Sequence, residues 1–130
     1  MKFVEKEPID KGWSGDRKYR VTDENGKRYL LRLSDMALYE AKQSEFNEMK
    51  RVSALGVPMC LPVAFGTCEE GVYSVQSWID GVDAEEVIPT LSDTEQYVYG
   101  LEAGRILRRI HSIPAPETQE DWESRFNRKM

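Results

Sequence analysis

The residues that decide the fold run from 17 to 34 and read RKYRVTDENGKRYLLRLS. Apolar and polar residues alternate on both sides of Asn25-Gly26, a dipeptide that signals a tight hairpin because both of its residues tolerate a positive φ. Two apolar pairs mark the inward faces of the strands, namely Tyr19 with Val21 and Leu31 with Leu33. The stretch therefore predicts two antiparallel strands joined by a tight turn.

The flanking segments complete an order of elements. A helix is predicted over residues 36–55, because Phe46 and Met49 begin an apolar stripe, Ser34-Asp35 offers an N-cap and Gly56 ends the pattern. The segment SDTE, from Ser92 to Glu95, is a capping box that opens a second long helix. Further strands are predicted over 3–10, 61–67 and 72–79. This order predicts an α+β fold with a five-stranded antiparallel sheet, one packed helix and further helices after it.

Composition excludes several classes of function. The chain has 130 residues and a net charge of −5, and its bases form no stripe that would suit nucleic acid. No apolar run approaches the ~20 residues of a membrane span, and the N-terminus lacks the apolar core of a signal peptide, so we expect a cytoplasmic protein. Cys60 and Cys68 are expected to be free thiols. The single His111 leaves no zinc cluster and no convincing catalytic triad.

A glycine loop joins the first two strands, GWSGD at 12–16. Gly12 and Gly15 would let backbone N–H groups approach a phosphate, and the Ser14 hydroxyl would add a donor. An ordinary β-turn is the alternative, and the loop by itself favours that alternative.

Four stretches, in this order, resemble the first part of the aminoglycoside phosphotransferase family of small-molecule kinases. They are YLLRLSD (29–35), EFNEMKRVSALGVPMCLPVAFG (45–66), SWIDGVDAEEVIPTL (77–91) and AGRILRRIHSIPAP (103–116). The resemblance covers essentially the whole chain. It implies a protein-kinase-like, nucleotide-binding N-lobe at 1–79, a hinge and connector at 80–91, and the start of a truncated helical C-lobe at 92–130.

The resemblance also implies roles for residues on the phosphate side. Gly12, Ser14 and Gly15 would hold the phosphates of ATP. Arg32 stands where such kinases carry the strand lysine that pairs with phosphates; an outward arginine on a half-exposed strand is the alternative. Glu45 would be the helix partner of Arg32. Helical spacing alone does not show whether Glu45 or Glu48 would be this partner. The alternative is that both are solvent-exposed acids on the helix surface.

The adenine side would be formed by the hinge. By resemblance, the Ser77 carbonyl would accept a hydrogen bond from the adenine amino group and the Ile79 N–H would donate one to the ring. Leu30 and Val75 would line the purine slot, with simple core packing as the alternative.

The implied function is ATP-dependent phosphorylation of a small-molecule hydroxyl, with an aminoglycoside as candidate acceptor and antibiotic resistance as the corresponding role. The family's His-Gly-Asp catalytic loop and its magnesium-binding aspartate have no counterpart here, so we expect this chain to be inactive by itself, with no catalytic and no metal-binding residues. Magnesium is expected only in a complete enzyme. The alternatives are a non-catalytic nucleotide-binding or regulatory module and a kinase-derived interaction domain.

The last long helix predicts a homodimer. Its apolar stripe would be buried by the remainder of a large lobe in a complete kinase, so a symmetric pair through the 98–113 helix is expected. In the alternative, Trp122 and Phe126 fold back over the stripe and leave a monomer. The stripe consists of Ala103, Ile106, Leu107, Ile110 and Ile113.

Overall fold

The computed structural model describes residues 2–12, 15–115 and 120–129. Its centre is one antiparallel sheet of five strands in the order β1-β2-β3-β5-β4. The strands are β1 (Phe3–Ile9), β2 (Arg17–Asp23), β3 (Arg28–Ser34), β4 (Pro62–Cys68) and β5 (Gly71–Ser77). The predicted α+β class and the five-stranded antiparallel sheet are confirmed.

The hairpin between β2 and β3 forms where predicted, and its loop contains residues 24–26. The Asp23 N–H donates to the Lys27 carbonyl at 2.8 Å, which closes a three-residue loop. Among the described residues only glycines have a positive φ; Gly26 has +81°, and Asn25 does not share it. The Asp23 carboxylate instead stabilises the loop by accepting from the N–H groups of Asn25 and Lys27, both at 2.9 Å. The predicted tight hairpin is therefore confirmed.

The two faces of the sheet differ in chemistry, because successive side chains of a strand point to opposite sides. One face carries a buried apolar cluster: Val21, Tyr29, Leu31, Leu33 and Val75. In the β3–β5 ladder Leu31 lies opposite Val75, whereas Leu30 lies opposite Gln76. Leu30 and Val75 thus lie on opposite faces, and the expectation that both line one purine slot is wrong.

The other face is covered in part by helix α1 (Tyr39–Ser53), which follows a 3-10 turn at Met36–Leu38. Phe46 is the buried residue of this helix and stacks on Phe65 of β4 with ring centroids 5.5 Å apart. The helical segment ends before Gly56, whose φ of +75° suits only glycine well, as predicted. The expected Ser34-Asp35 cap does not form: Asp35 makes no side-chain cap bond, and the Ser34 hydroxyl donates to Asp16 instead.

Three helices follow the sheet in the described part of the chain: α2 (Ala84–Val87), α3 (Asp93–Ile110) and α4 (Trp122–Lys129), with a 3-10 turn at Ile88–Thr90. The capping box of α3 is confirmed, since Ser92 Oγ accepts from the Glu95 N–H and the Glu95 carboxylate accepts from the Ser92 N–H. At the other end of α3, the Arg109 guanidinium donates to the Leu55 carbonyl at the end of α1. This contact ties α3 to the helix that packs on the sheet.

The apolar stripe of α3 is only partly covered. Ile106 and Ile110 are half-buried, and Leu107 is exposed. Trp122 stacks on Phe126 at 4.9 Å but is 74% exposed, so this pair does not fold back over the stripe. Within the described ranges, no helix is both long enough and apolar enough to cross a membrane.

Candidate functional site

Asp16, the residue that joins the glycine loop to β2, is the centre of the candidate site. Its side chain is only 6% exposed. The Ser34 hydroxyl donates to Oδ1 at 2.7 Å, Arg32 Nε lies 3.1 Å from Oδ2, and Lys42 Nζ lies 3.1 Å from Oδ1. The Asp16 carboxylate thus forms ion pairs with two cations and accepts a hydrogen bond from one hydroxyl.

The register of the sheet explains why these residues meet. Arg17, the first residue of β2, pairs with Leu33, so Asp16 lies beside the last residue of β3, Ser34. Arg32 and Ser34 are two apart on β3 and point to the same face. Lys42 enters from the first turns of α1, which packs over that face.

The surroundings of Asp16 favour its charged form. Burial penalises the carboxylate and by itself would raise its pKa. The hydrogen bonds from Ser34 and Lys42, together with the positive charges of Lys42 and Arg32, outweigh that penalty and hold the pKa of Asp16 below its ordinary value of 3.8. Asp16 is therefore an anion at neutral pH.

A pocket of about 80 Å³ lies beside this cluster. That volume is several times what one water molecule needs. Its polar lining consists of Asp16, Arg32, Ser34, Lys42, Glu45, Tyr73, Ser74 and Gln76. The structure thus brings Arg32 and Glu45, both predicted as site residues, to one pocket.

The expected ion pair between Arg32 and Glu45 is not the pairing that the structure shows. Arg32 pairs with Asp16, and the Glu45 carboxylate lies 3.3 Å from Lys42, one turn earlier on α1. The physical reason is that Asp16 offers a buried carboxylate next to Arg32, whereas the Glu45 side chain is 65% exposed. Glu48 pairs with Arg51 on the helix surface and does not line the pocket.

The glycine loop is described in part. Gly12 has a φ of +104°, and a side chain there would collide with the Lys18 ammonium, which donates to the Lys11 carbonyl. Apart from its chain neighbours, no described residue lies within 4 Å of the position that a Gly15 Cβ would take. Ser14 lies outside the described residues, so its predicted contact with phosphate remains a prediction.

The base of the loop is also linked to the connector. Lys11 Nζ donates to the Asp83 carboxylate at 2.7 Å. Both side chains are largely exposed, so this pair contributes little to stability. It nevertheless joins the base of the glycine loop to Asp83, the residue that precedes α2.

The predicted hinge residues lie apart from the pocket. Ser77 ends β5, where its hydroxyl accepts from the Leu61 N–H at 2.7 Å and its own N–H donates to the Leu61 carbonyl at 2.8 Å. Ile79 is exposed, and its N–H has no hydrogen-bond partner within the described part of the chain. Leu30 is half-buried on the face that carries Arg32. Leu30, Ser77 and Ile79 do not line the pocket beside Asp16.

Sequence reasoning missed Asp16, Ser34 and Lys42 as site residues. The available signal for Asp16 was its place directly after the second glycine of the loop, and for Lys42 the i, i+3 spacing that puts it on one helix face with Glu45. Neither signal is specific in a chain with 23 acidic and 18 basic residues.

The described ranges contain no evident metal-binding site. Over residues 2–12, 15–115 and 120–129, no group of three or more His, Cys, Asp or Glu side chains is arranged to hold a metal ion. Cys60 and Cys68 are free, as predicted.

Comparison with known proteins gives one finding. The sequence matches the phosphotransferase enzyme family over residues 5–130, which is nearly the whole chain. A search of curated proteins finds no match. The sheet with its glycine loop, the arginine of β3 and the helix behind it agree with the kinase-like N-lobe that the resemblance implied. The chain belongs to the phosphotransferase enzyme family.

Proposed function

We propose that this chain is the nucleotide-binding part of an ATP-dependent phosphotransferase that acts on a hydroxyl of a small molecule. Membership of the family supports phosphoryl transfer as the reaction. The observation that carries the nucleotide role is the convergence of Arg32 and Lys42 at the end of the glycine loop, beside a pocket.

The two cations suit a polyphosphate in different ways. The Arg32 guanidinium is planar and can bind two oxygens of one phosphate, which compensates for the absence of a lysine on β3. Lys42 adds a compact charge from the helix side. Gly12, Ser14 and Gly15 would bring backbone N–H groups to the same phosphates.

The adenine ring would lie toward the end of β5. Leu30 shares the face of Arg32 and supplies an apolar contact. The Ser77 carbonyl and the Ile79 N–H would bind the edge of the ring, and the Ile79 N–H is available for that role. Glu45 would stay near Lys42 and limit its movement.

Phosphoryl transfer also needs a residue that positions the acceptor and a bound magnesium ion. In this proposal residues 1–130 bind nucleotide without transferring phosphate, because their only histidine, His111, is followed by serine and not by a Gly-Asp pair. The acceptor is proposed to be a small hydroxyl compound such as an aminoglycoside. The site of action is proposed to be the cytoplasm, where ATP is available.

A titration with ATP, followed by NMR of backbone amides, tests the proposal. We expect weak binding, with a Kd near or above ~1 mM, about −4 kcal/mol. Shifts should be confined to the glycine loop, to residues 30–34 and 77–79, and to the part of α1 around Lys42. Arg32→Gln should abolish them, whereas Arg51→Gln, which removes an equal charge on the outer surface of α1, should not. Shifts elsewhere, or equal effects of the two variants, would contradict the site.

The second candidate is a kinase-derived interaction or regulatory domain that does not bind nucleotide. The observation in its favour is that Arg32 already has an anionic partner in Asp16. No ATP-dependent shift in any variant would favour this candidate. A parallel titration with GTP measures which base the site prefers.

A further inference from the structure

Three cations crowd the face of the sheet below the glycine loop. Lys18 of β2 lies directly opposite Arg32 of β3 in the ladder. Like charges directly opposite each other destabilise a sheet. Lys42 enters the same region from α1. The fold thus maintains an arrangement that is unfavourable without an anion.

A single buried acid balances these cations. Asp16 contacts both Arg32 and Lys42, whereas Glu45 is mostly in solvent, where water and salt screen its charge. Lys18 turns away and donates to the Lys11 carbonyl. Among the described residues of this cluster, Asp16 therefore occupies the position where an anion is most strongly attracted.

We propose that Asp16 is an internal occupant of an anion site formed by Arg32, Lys42 and Ser34, and that the polyphosphate of a nucleotide binds there by displacing its carboxylate. The inference rests on the proposed nucleotide function. It adds Ser34 to the phosphate-binding residues, and it makes Asp16 a self-inhibiting residue.

The geometry permits such a displacement. Asp16 lies at the junction of the loop and β2, one residue before the first β2–β3 pair. Its neighbour Gly15 has no side chain, and no described residue beyond its chain neighbours lies within 4 Å of the position that a Cβ would take there, so side-chain packing at Gly15 does not fix the backbone before Asp16. A triphosphate carries several oxygens and more than one negative charge, and it can contact both cations at once where a carboxylate offers one charge.

The opposite role for Asp16 makes the opposite prediction. If the carboxylate only positions Arg32 and Lys42 for phosphate, its removal weakens binding. If it occupies the site, its removal strengthens binding, because a ligand no longer competes with an internal anion and the competent state is more populated.

The experiment compares Asp16→Asn with the wild-type chain, using ATP and inorganic tripolyphosphate as separate probes in calorimetric or NMR titrations. We expect Asp16→Asn to bind both probes about tenfold more tightly, which corresponds to about 1.4 kcal/mol. Asp10→Asn is the matched control, because it removes an equal charge from an exposed residue that does not line the pocket beside Arg32 and Lys42. It should change either Kd less than about twofold.

The outcomes separate this inference from the proposed function. Binding by the wild-type chain with equal or weaker binding by Asp16→Asn overturns the inference alone. Absence of binding by every variant, Asp16→Asn included, overturns both. Equal tightening by Asp10→Asn would show a general charge effect and would also overturn the inference.

A second measurement applies to the wild-type chain if Asp16→Asn does not fold. The carboxyl carbon of Asp16 is followed by NMR through an acid titration, with and without saturating tripolyphosphate. Displacement separates the carboxylate from Arg32 and Lys42, so the pKa of Asp16 should rise toward its ordinary value when the probe is bound. A pKa that stays low with the probe bound would show that the contacts persist and would overturn the inference.

Discussion

The Asp16→Asn substitution should make the protein less stable even while it strengthens phosphate binding. The buried carboxylate accepts a hydrogen bond from Ser34 and pairs with Arg32 and Lys42. Hydrogen bonds to charged groups contribute about 1.5–3 kcal/mol each. Asparagine keeps one oxygen for Ser34, and the two cations, with side chains 30% and 20% exposed, regain contact with water. We therefore expect a loss of about 1–2 kcal/mol in the free energy of unfolding near pH 7.

The same effect should depend on pH with a defined sign. The pKa of Asp16 lies below 3.8 in the folded protein, so the carboxylate adds stability at every pH above its ordinary pKa. That contribution falls as the pH drops through the folded pKa. The difference in stability between the wild-type chain and Asp16→Asn should therefore be full at about pH 5 and above, and should shrink as the pH falls through the folded pKa of Asp16, which lies below 3.8.

Urea unfolding followed by far-UV circular dichroism measures this difference, provided that both proteins give the same slope. Asp10→Asn again serves as the control and should stay within about 0.5 kcal/mol of the wild-type chain at each pH. Equal stability of Asp16→Asn and wild type near neutral pH would refute the reasoning. So would a difference that persists undiminished in acid, because it would come from packing and not from charge.

Three further predictions follow from the packing and from the proposals. Phe46→Ala should lower the free energy of unfolding by about 3–5 kcal/mol, because Phe46 is 6% exposed and stacks on Phe65; Leu38→Ala, at an exposed position, should cost less than about 1 kcal/mol in the same urea assay. The proposed homodimer through α3 should dissociate with Leu107→Asp, since Leu107 lies exposed on the stripe; sedimentation at micromolar concentration checks this, and a wild-type monomer would disprove the dimer. Residues 1–130 alone should consume no ATP with magnesium and a panel of aminoglycosides, and turnover above that of Arg32→Gln would show catalysis that the proposal does not provide for.

The features that could be predicted from the sequence are those with a local cause. Alternation around Asn25-Gly26 predicted two strands and their apolar faces correctly, because the two-residue period of a strand is visible within a short stretch of sequence. Gly56 and the Ser92–Glu95 box marked helix ends for the same reason. The turn was also placed correctly, but the Asp23 carboxylate that accepts from two of its N–H groups was not predicted.

The features that could not be predicted depend on the register in which strands pair. The separation of Leu30 from Val75 follows from the β3–β5 pairing, and a shift of one residue would have reversed it. The pairing of Arg32 with Asp16 likewise follows from the β2–β3 ladder, which starts one residue after Asp16. No pattern within either segment specifies these pairings.

The position of Asp16 at that boundary has a consequence for the site as a whole. The residue that ends the loop and the residue that starts the ladder are adjacent, so the β2–β3 pairing holds the Asp16 carboxylate beside Arg32 and Lys42. If Asp16 is displaced as proposed, both cations lose the same carboxylate together. Glu45 would not replace Asp16 at Arg32, because its exposed carboxylate contacts Lys42. The proposed displacement thus couples phosphate binding to the position of a single side chain.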